Sequence, residues 1–191
     1  MKSVIFILLC FYTFTSVRGQ TLFLTGSTTS YDVSKYLQYS VDSSLVKKPA
    51  DIKSSRMQWQ TFKDGQTPNL GINRQAYWFT FVMQNNTHED EWMVHVDYQT
   101  LDAVSMFVYD TAGNLVFTDA QGILTKNLHK QRMPLFPLSL KINETVRVYF
   151  RVQTSSLLIF PVKVSTPMAF CSAENAQRNV YLPAWGILVA A

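Results

Sequence analysis

The amino-acid sequence predicts an all-β fold, an antiparallel β-sandwich or jelly roll. Two observations carry that expectation. Several segments alternate apolar and polar residues with a period of two, which lays one apolar face along each strand. Turn-forming clusters separate these segments at short intervals, roughly every 8–12 residues, the spacing of stacked antiparallel strands. At 47% hydrophobic and 16% charged, the 191 residues are apolar enough to bury a core and too sparsely charged for a coiled coil.

Residues 1–19 read as a secretory signal peptide. Lys2 supplies the positive start, residues 4–12 an apolar run, and Val17-Arg18-Gly19 a small-residue cleavage pattern that leaves Gln20 first. The run is shorter than the roughly twenty residues that span a bilayer. Leu9 directly before Cys10, with the apolar run continuing past it, argues against a lipid-modified cysteine. After cleavage only Cys171 remains, and a single thiol forms no internal disulfide, so the domain rests on its core.

Along the mature chain, residues 31–39 followed by Asp42-Ser43-Ser44 predict a first strand and a turn. Pro49 opens one short helix over residues 49–53, near the N-terminal part, and residues 31–63 are expected to wrap an edge of the sandwich. Tyr77, Phe79, Phe81 and Met83 line one face of the next strand, with Trp78, Thr80 and Val82 on the other. Beyond the polar turn at residues 85–90, Trp92, Val94, Val96 and Tyr98 repeat the pattern. Residues 104–109 and 115–118 form a hairpin around Gly113. Phe136, Leu138, Leu140 and Ile142 make a further strand, and Pro137 places it at a start or an edge. Val146, Val148, Phe150 and Val152 alternate with Arg147, Arg151 and Gln153, the clearest strand of all. The uncharged run at residues 180–191 has two readings: an apolar segment docked on the core, or the start of a truncated transmembrane helix. The second is favoured, with Tyr181 and Trp185 as interfacial anchors.

Several chemistries are argued against. Without Lys2 and Arg18, 15 basic residues face 13 acidic ones and the longest basic cluster is Lys47-Lys48, so nucleic acid is not an expected partner. His88, His95 and His129 follow no zinc spacing, no metal or cofactor is expected, and His95 is placed on an exposed strand face. Asn85-Asn86-Thr87 and Asn143-Glu144-Thr145 match the glycosylation acceptor pattern. Neither a Gly-x-Ser-x-Gly elbow nor a phosphate-binding glycine loop occurs. Ser44 and Lys47 have serine–lysine spacing without its companion motifs, and Glu89, Asp90 and Glu91 fall in a solvated turn. The chain is not expected to be an enzyme.

Aromatic residues, 14% of the sequence, are the better lead, because sugar rings stack on exposed aromatic faces. Trp78 and Trp92 are assigned to the core. Trp59, Tyr109 and Arg132 are the ligand-binding candidates. Tyr109 is either a surface tyrosine or a binding platform. Arg132 either meets a ligand or pairs with Asp119 at the rim.

The order of motifs resembles the type 2 extracellular domain of bacterial seven-transmembrane receptors with diverse intracellular signalling modules. The resemblance runs from about Tyr31 to Pro167. It rests on Asp42-Ser43-Ser44, an aromatic at Trp59 or Phe62, Leu70-Gly71 before Tyr77-Trp78-Phe79, Trp92-Met93-Val94, and the Val104 to Asp110 strand with Gly113 in its turn. Gly122, Arg132 before Phe136-Pro137-Leu138, the Val146 to Val152 strand and Phe160-Pro161-Val162 complete it. The resemblance implies a jelly roll similar to carbohydrate-binding modules, working as a sensor of a carbohydrate or small metabolite. It implies an exported domain, periplasmic or extracellular, anchored to the inner membrane through C-terminal helices absent from this chain, with a homodimer as a candidate assembly. The domain would then occupy residues 20–170, and residues 171–191 a stalk and the start of the first membrane helix. A secreted carbohydrate-binding module without receptor role, or an exported β-rich enzyme, are the alternatives.

Overall fold

Alternation builds two facing sheets. The computed structural model describes residues 20–42, 49, 52, 57–63, 66–72, 74–124 and 133–176. The larger sheet runs β4 (Gln60–Thr61), β3 (Gln38–Asp42), β6 (Ala76–Asn85), β11 (Thr145–Gln153), β8 (Ala103–Asp110) and β9 (Leu115–Gln121). The smaller runs β10 (Leu135–Ser139), β7 (Glu91–Val96), β13 (Val162–Ser165) and β2 (Ser30–Asp32). A short pair, β5 (Asn69–Ile72) with β12 (Leu157–Ile159), lies apart from both. Nearly all ladders are antiparallel. The exception is β1 (Thr21–Leu24), which runs parallel to the second half of β6, on the edge whose first half takes β3.

The inward faces are the apolar phases of the strands. Val148, Phe150 and Val152 of β11, Phe79 and Met83 of β6, Val104, Met106 and Val108 of β8, and Val94 and Val96 of β7 are all fully buried. Rings knit the core together: Phe136 of β10 meets Phe150 of β11 edge-on at 5.8 Å across the two sheets, and Phe160, in the link before β13, stacks on Phe79 at 4.4 Å and meets Phe150 edge-on at 5.3 Å. Burying one such side chain is worth about 1.5–3 kcal/mol, and a one-residue slip would turn every one of them to solvent. That penalty fixes the register.

Three sequence expectations need correction. Residues 31–39 are not one strand. Val33 (fully buried) and Leu37 plug the space between the sheets, and a 3-10 turn at Ser34–Tyr36 carries the chain from β2 in one sheet to β3 in the other. Asp32 Oδ1 accepts the Ser34 amide at 2.7 Å and closes that turn. A helix, α1, covers residues 167–176, where only a stalk was expected. Thr166 Oγ1 accepts the Ala169 amide at 3.3 Å as its cap and Pro167 stands in its first turn, the ordinary start signal of a helix. His95, expected in solvent, is 7% exposed. Of the helix expected at residues 49–53, Pro49 and Ile52 are described, both helical.

Other expectations hold in detail. Pro137 sits on β10, an edge strand, where its missing N–H costs no ladder bond. The β8–β9 hairpin turns through Gly113 at φ 87°, and Asp110 Oδ1 and Oδ2 accept the Asn114 amide and side chain at 2.7 and 2.8 Å. Asn85 is fully buried: its Nδ2 donates to the Glu89 and Leu140 carbonyls, both at 2.7 Å, tying the connection after β6 to β10. An amide so engaged is poorly placed to accept a glycan; Asn143, at φ 63° in an exposed turn, is accessible. Residues 1–19, Ser44, Lys47, Arg132 and residues 180–191 lie outside the described residues, so the readings placed on them stay expectations. Among the described residues no helix is long and apolar enough to cross a membrane.

Candidate ligand-binding face

Each strand that sends one phase of its alternation to the core sends the other outward. On the larger sheet the outward phase is unusually aromatic. Tyr149 of β11 sits opposite Thr80 of β6 on one side and Phe107 of β8 on the other. Arg147 stands opposite Tyr109, and Arg151 opposite Trp78. The ring of Tyr109 meets that of Tyr149 edge-on at 5.8 Å, Trp78 lies 5.9 Å from Phe107, and Trp59, just ahead of β4, reaches within 6.1 Å of Tyr149. The result is a continuous floor of rings with Tyr149 at its centre.

Exposure grades across that floor. Trp78 is fully buried and Tyr109 is 8% exposed, whereas Trp59, Phe107 and Tyr149 are half-buried and Arg147 is exposed. Burial raises the Tyr149 phenol above its ordinary pKa, against the lowering pull of the Arg147 charge and of hydrogen bonds with Thr80 and Arg147. Burial also raises the Tyr109 phenol. Both hydroxyls are therefore neutral at physiological pH and able to donate as well as accept. Two buried donors on this face, Trp78 Nε1 and Gln38 Nε2, have no hydrogen-bond partner among the described residues. Gln38 is paired with Thr80 in the β3–β6 ladder and Ser40 with Trp78, so both donors belong to the same patch. Among the described residues Arg147 makes no ion pair.

Of the residues proposed from sequence, Trp59 and Tyr109 lie on opposite sides of one ring, Tyr149. Trp59 keeps part of its surface; Tyr109 is more covered than a free-standing platform would be. Arg132 lies outside the described residues, and the two carboxylate oxygens of Asp119, its suggested partner, accept from the Ala120 amide at 2.7 Å and Gln121 Nε2 at 3.0 Å. Sequence reasoning missed Tyr149 and Arg147. Their signal was available, since both occupy the outward phase of the clearest strand. Trp78 is buried as expected, yet on the outward face and not among the rings between the sheets.

The smaller sheet treats its outward face differently. His95 of β7, Lys163 and Ser165 of β13, and Ser30 of β2 stand there. α1 covers them. Phe170 is 8% exposed and meets the His95 ring edge-on at 5.0 Å. His95 Nε2 lies 3.2 Å from Ser165 Oγ, which in turn lies 2.9 Å from Ser30 Oγ, while His95 Nδ1 has no partner. Beside it Lys163 Nζ donates to Asp97 Oδ2 at 2.8 Å. A cavity of about 110 Å³ lies between His95, Lys163, Ser165, Phe170 and Glu174. Burial lowers the His95 pKa to about 4, with the Asp97 charge opposing and the Lys163 charge adding to the shift, so the imidazole is neutral at physiological pH.

A family model described as 7TMR-DISM extracellular 2 matches residues 34–166, well over half of the chain. Among curated proteins none matches. A solved structure that the chain is similar to is the enzymatically active domain of tailspike protein 4 of bacteriophage CBA120, at 12% identity and a TM-score of 0.29. That likeness covers 72% of this chain and 18% of the tailspike chain.

Proposed function

The chain belongs to the 7TMR-DISM extracellular 2 family, extracellular sensor domains of seven-transmembrane receptors, and from that membership we propose that it is the ligand-sensing extracytoplasmic domain of a bacterial membrane signalling receptor. Its ligand is a carbohydrate or small metabolite, held on the outward face of the larger sheet. The observation that carries this reading is the ring floor around Tyr149. Half-exposed rings beside unpaired donors are what a sugar needs, because its C–H faces stack on aromatic surfaces while its hydroxyls take hydrogen bonds that fix orientation. Trp59 and Tyr149 supply the stacking surface and Arg147 a polar anchor at its edge. An elementary balance favours this use of the face. A half-buried tryptophan and an exposed guanidinium without an ion-pair partner among the described residues contribute little to folding where they stand, and both contribute far more once a ligand removes water from them.

In the receptor, the signal peptide at residues 1–19 exports the domain and residues 171–191 form the stalk and the start of the first membrane helix. The chain beyond residue 191 then continues into seven apolar spans. The domain works by population shift: the ligand stabilises one arrangement of the sandwich relative to its stalk by its differential affinity for that arrangement. No catalytic step is assigned, in keeping with a family of receptor sensor domains.

The test is calorimetric titration of the folded chain with a panel of oligosaccharides and small metabolites, beside Trp59→Ala and Tyr149→Ala. The reading expects at least one ligand whose affinity falls tenfold or more in both variants while the fold is kept. A ligand bound equally well by all three proteins moves the site elsewhere; no ligand for the folded wild type argues for a signal carried by protein partners. A stop codon directly after residue 191 would remove the receptor and leave a secreted module.

A further inference from the structure

Among the described residues the outward face of the larger sheet carries an exposed cation and no exposed carboxylate on β3, β6, β8 and β11. Arg147 stands two residues before Tyr149 on one strand, and Arg151 two residues after it, where its guanidinium donates to Gln153 Oε1 at 3.5 Å. Trp78 Nε1 and Gln38 Nε2 add two buried donors without partners among the described residues. The one carboxylate in the outward phase of β3, β6, β8 and β11, apart from their turns, is Asp42, which is fully buried. Arg147 is exposed and, among the described residues, faces no acid; the residue opposite it on β6 is Val82 and on β8 Tyr109. A neutral sugar offers donors and acceptors in similar numbers and is ordinarily met by both carboxylates and amides. This face offers hydroxyls that serve either role, and its exposed charge is the cation Arg147.

We infer that the ligand is an acidic sugar, a pyranose bearing a carboxylate, with its ring on Trp59 and Tyr149 and its carboxylate on Arg147. The inference rests on the sugar-sensing reading of the same face. Guanidinium and carboxylate match in plane and spacing, two parallel N–H···O bonds form at once, and such charge-assisted bonds are roughly twice as strong as neutral ones. A strand places the two elements well. Arg147 and Tyr149 share a face at i and i+2, about 6–7 Å apart along the strand, roughly the distance from the middle of a pyranose ring to a guanidinium nitrogen that donates to a carboxylate on C5. The guanidinium also lies against the Tyr149 hydroxyl by hydrogen bond, which limits its rotamers and lowers the entropy lost on binding.

The experiment uses two probes of matched stereochemistry, oligogalacturonate and the neutral galactose oligomer of the same length and linkage, titrated calorimetrically into the folded chain at low and at moderate salt. The inference expects the acidic oligomer to bind at least tenfold more tightly and to lose that advantage as salt rises, since the ion pair is partly exposed. Arg147→Gln should weaken the acidic oligomer tenfold or more and change the neutral one less than twofold; Arg147→Lys should restore part of the loss, having the charge without the fork. Because Arg147 is exposed, neither substitution should move the melting temperature appreciably, which separates a binding effect from misfolding. Equal affinity for both oligomers, or an acidic affinity untouched by Arg147→Gln, overturns the inference and leaves the sugar-sensing reading standing. Failure of the folded wild type to bind either oligomer, or any other sugar, overturns both.

Discussion

The two outward faces of the sandwich arise from the same period-two alternation and end in opposite states. On the smaller sheet α1 lies over His95 and Ser165, with Phe170 as its anchor, while Lys163 reaches out to Asp97 and Ser30 stays exposed at the rim. On the larger sheet the outward residues are broad rings and long cations, and the centre of that face stays half-open around Tyr149. The lesson is that outward phase alone does not define surface. What stands there decides whether the chain covers the face itself or leaves it to a partner. Compact Ser165 permits close approach by a helix; on the larger sheet Gln38, Ser40, Trp78 and Thr80 are covered as well, and only the patch of Trp59, Phe107, Tyr149 and Arg147 keeps surface on which to offer chemistry.

The largest expected effect erases the comparison altogether. Val148, fully buried at the centre of β11, supports both faces from between the sheets. Val148→Asp would strand a carboxylate without a partner at a cost of several kcal/mol, against a total stability of roughly 5–15 kcal/mol. Soluble, cooperatively folding protein should be lost; a Val148→Asp variant with a native circular-dichroism melt would contradict the register.

From pH 7 down toward 4, acid should act chiefly on the smaller sheet. The His95 pKa is depressed in the fold from 6.5 to about 4, so the unfolded chain binds the proton more readily between those values. Stability from this site is fully present above pH 6.5, declines as the pH falls toward 4, and has gone below that. The loss approaches about 3 kcal/mol for a shift of this size. Urea midpoints measured from pH 7 to 4 should fall for the wild type and flatten in this window for His95→Leu. Parallel curves for the two proteins would mean that other groups carry the acid response.

Smaller still is the undocking of α1. Phe170→Ala removes the ring that seats the helix and should cost roughly 2–3 kcal/mol, at the lower end for a buried aromatic because the site is peripheral. Ligand affinity at the other face should change less than twofold, and a tenfold loss would show that the faces are coupled. Smallest in stability is Trp59→Ala, expected to cost about 1 kcal/mol or less, since the ring is half-buried at an edge. Its effect should fall on binding, and a thermal shift larger than that of Phe170→Ala would recast Trp59 as a packing residue.

The sandwich was legible because burial acts on every second residue of a strand, and Val146 to Val152 or Trp92 to Val96 carry that period without interruption. Residues 31–39 hid their sheet switch because two three- to five-residue strands joined by a 3-10 turn look like one longer strand. α1 was missed although Thr166-Pro167 is a capping pair, because the apolar run that follows drew the reading toward a membrane. For the site, Trp59 and Tyr109 could be chosen as aromatics, but only the ladder register places both against Tyr149, across roughly forty and ninety residues of chain. His95 was misread for a related reason: a polar phase says which way a side chain points and nothing about what the rest of the chain lays over it.

Chemical-shift mapping tests the central contrast in one measurement. Oligogalacturonate titrated into uniformly nitrogen-15-labelled protein should shift backbone amides of β6, β8 and β11 around Thr80, Phe107 and Tyr149, together with the Trp59 indole, while the amides of β2, β7, β13 and α1 stay in place. Shifts concentrated around His95, Ser165 and Phe170, with the Tyr149 neighbourhood silent, would contradict the assignment of the open aromatic face as the site of recognition.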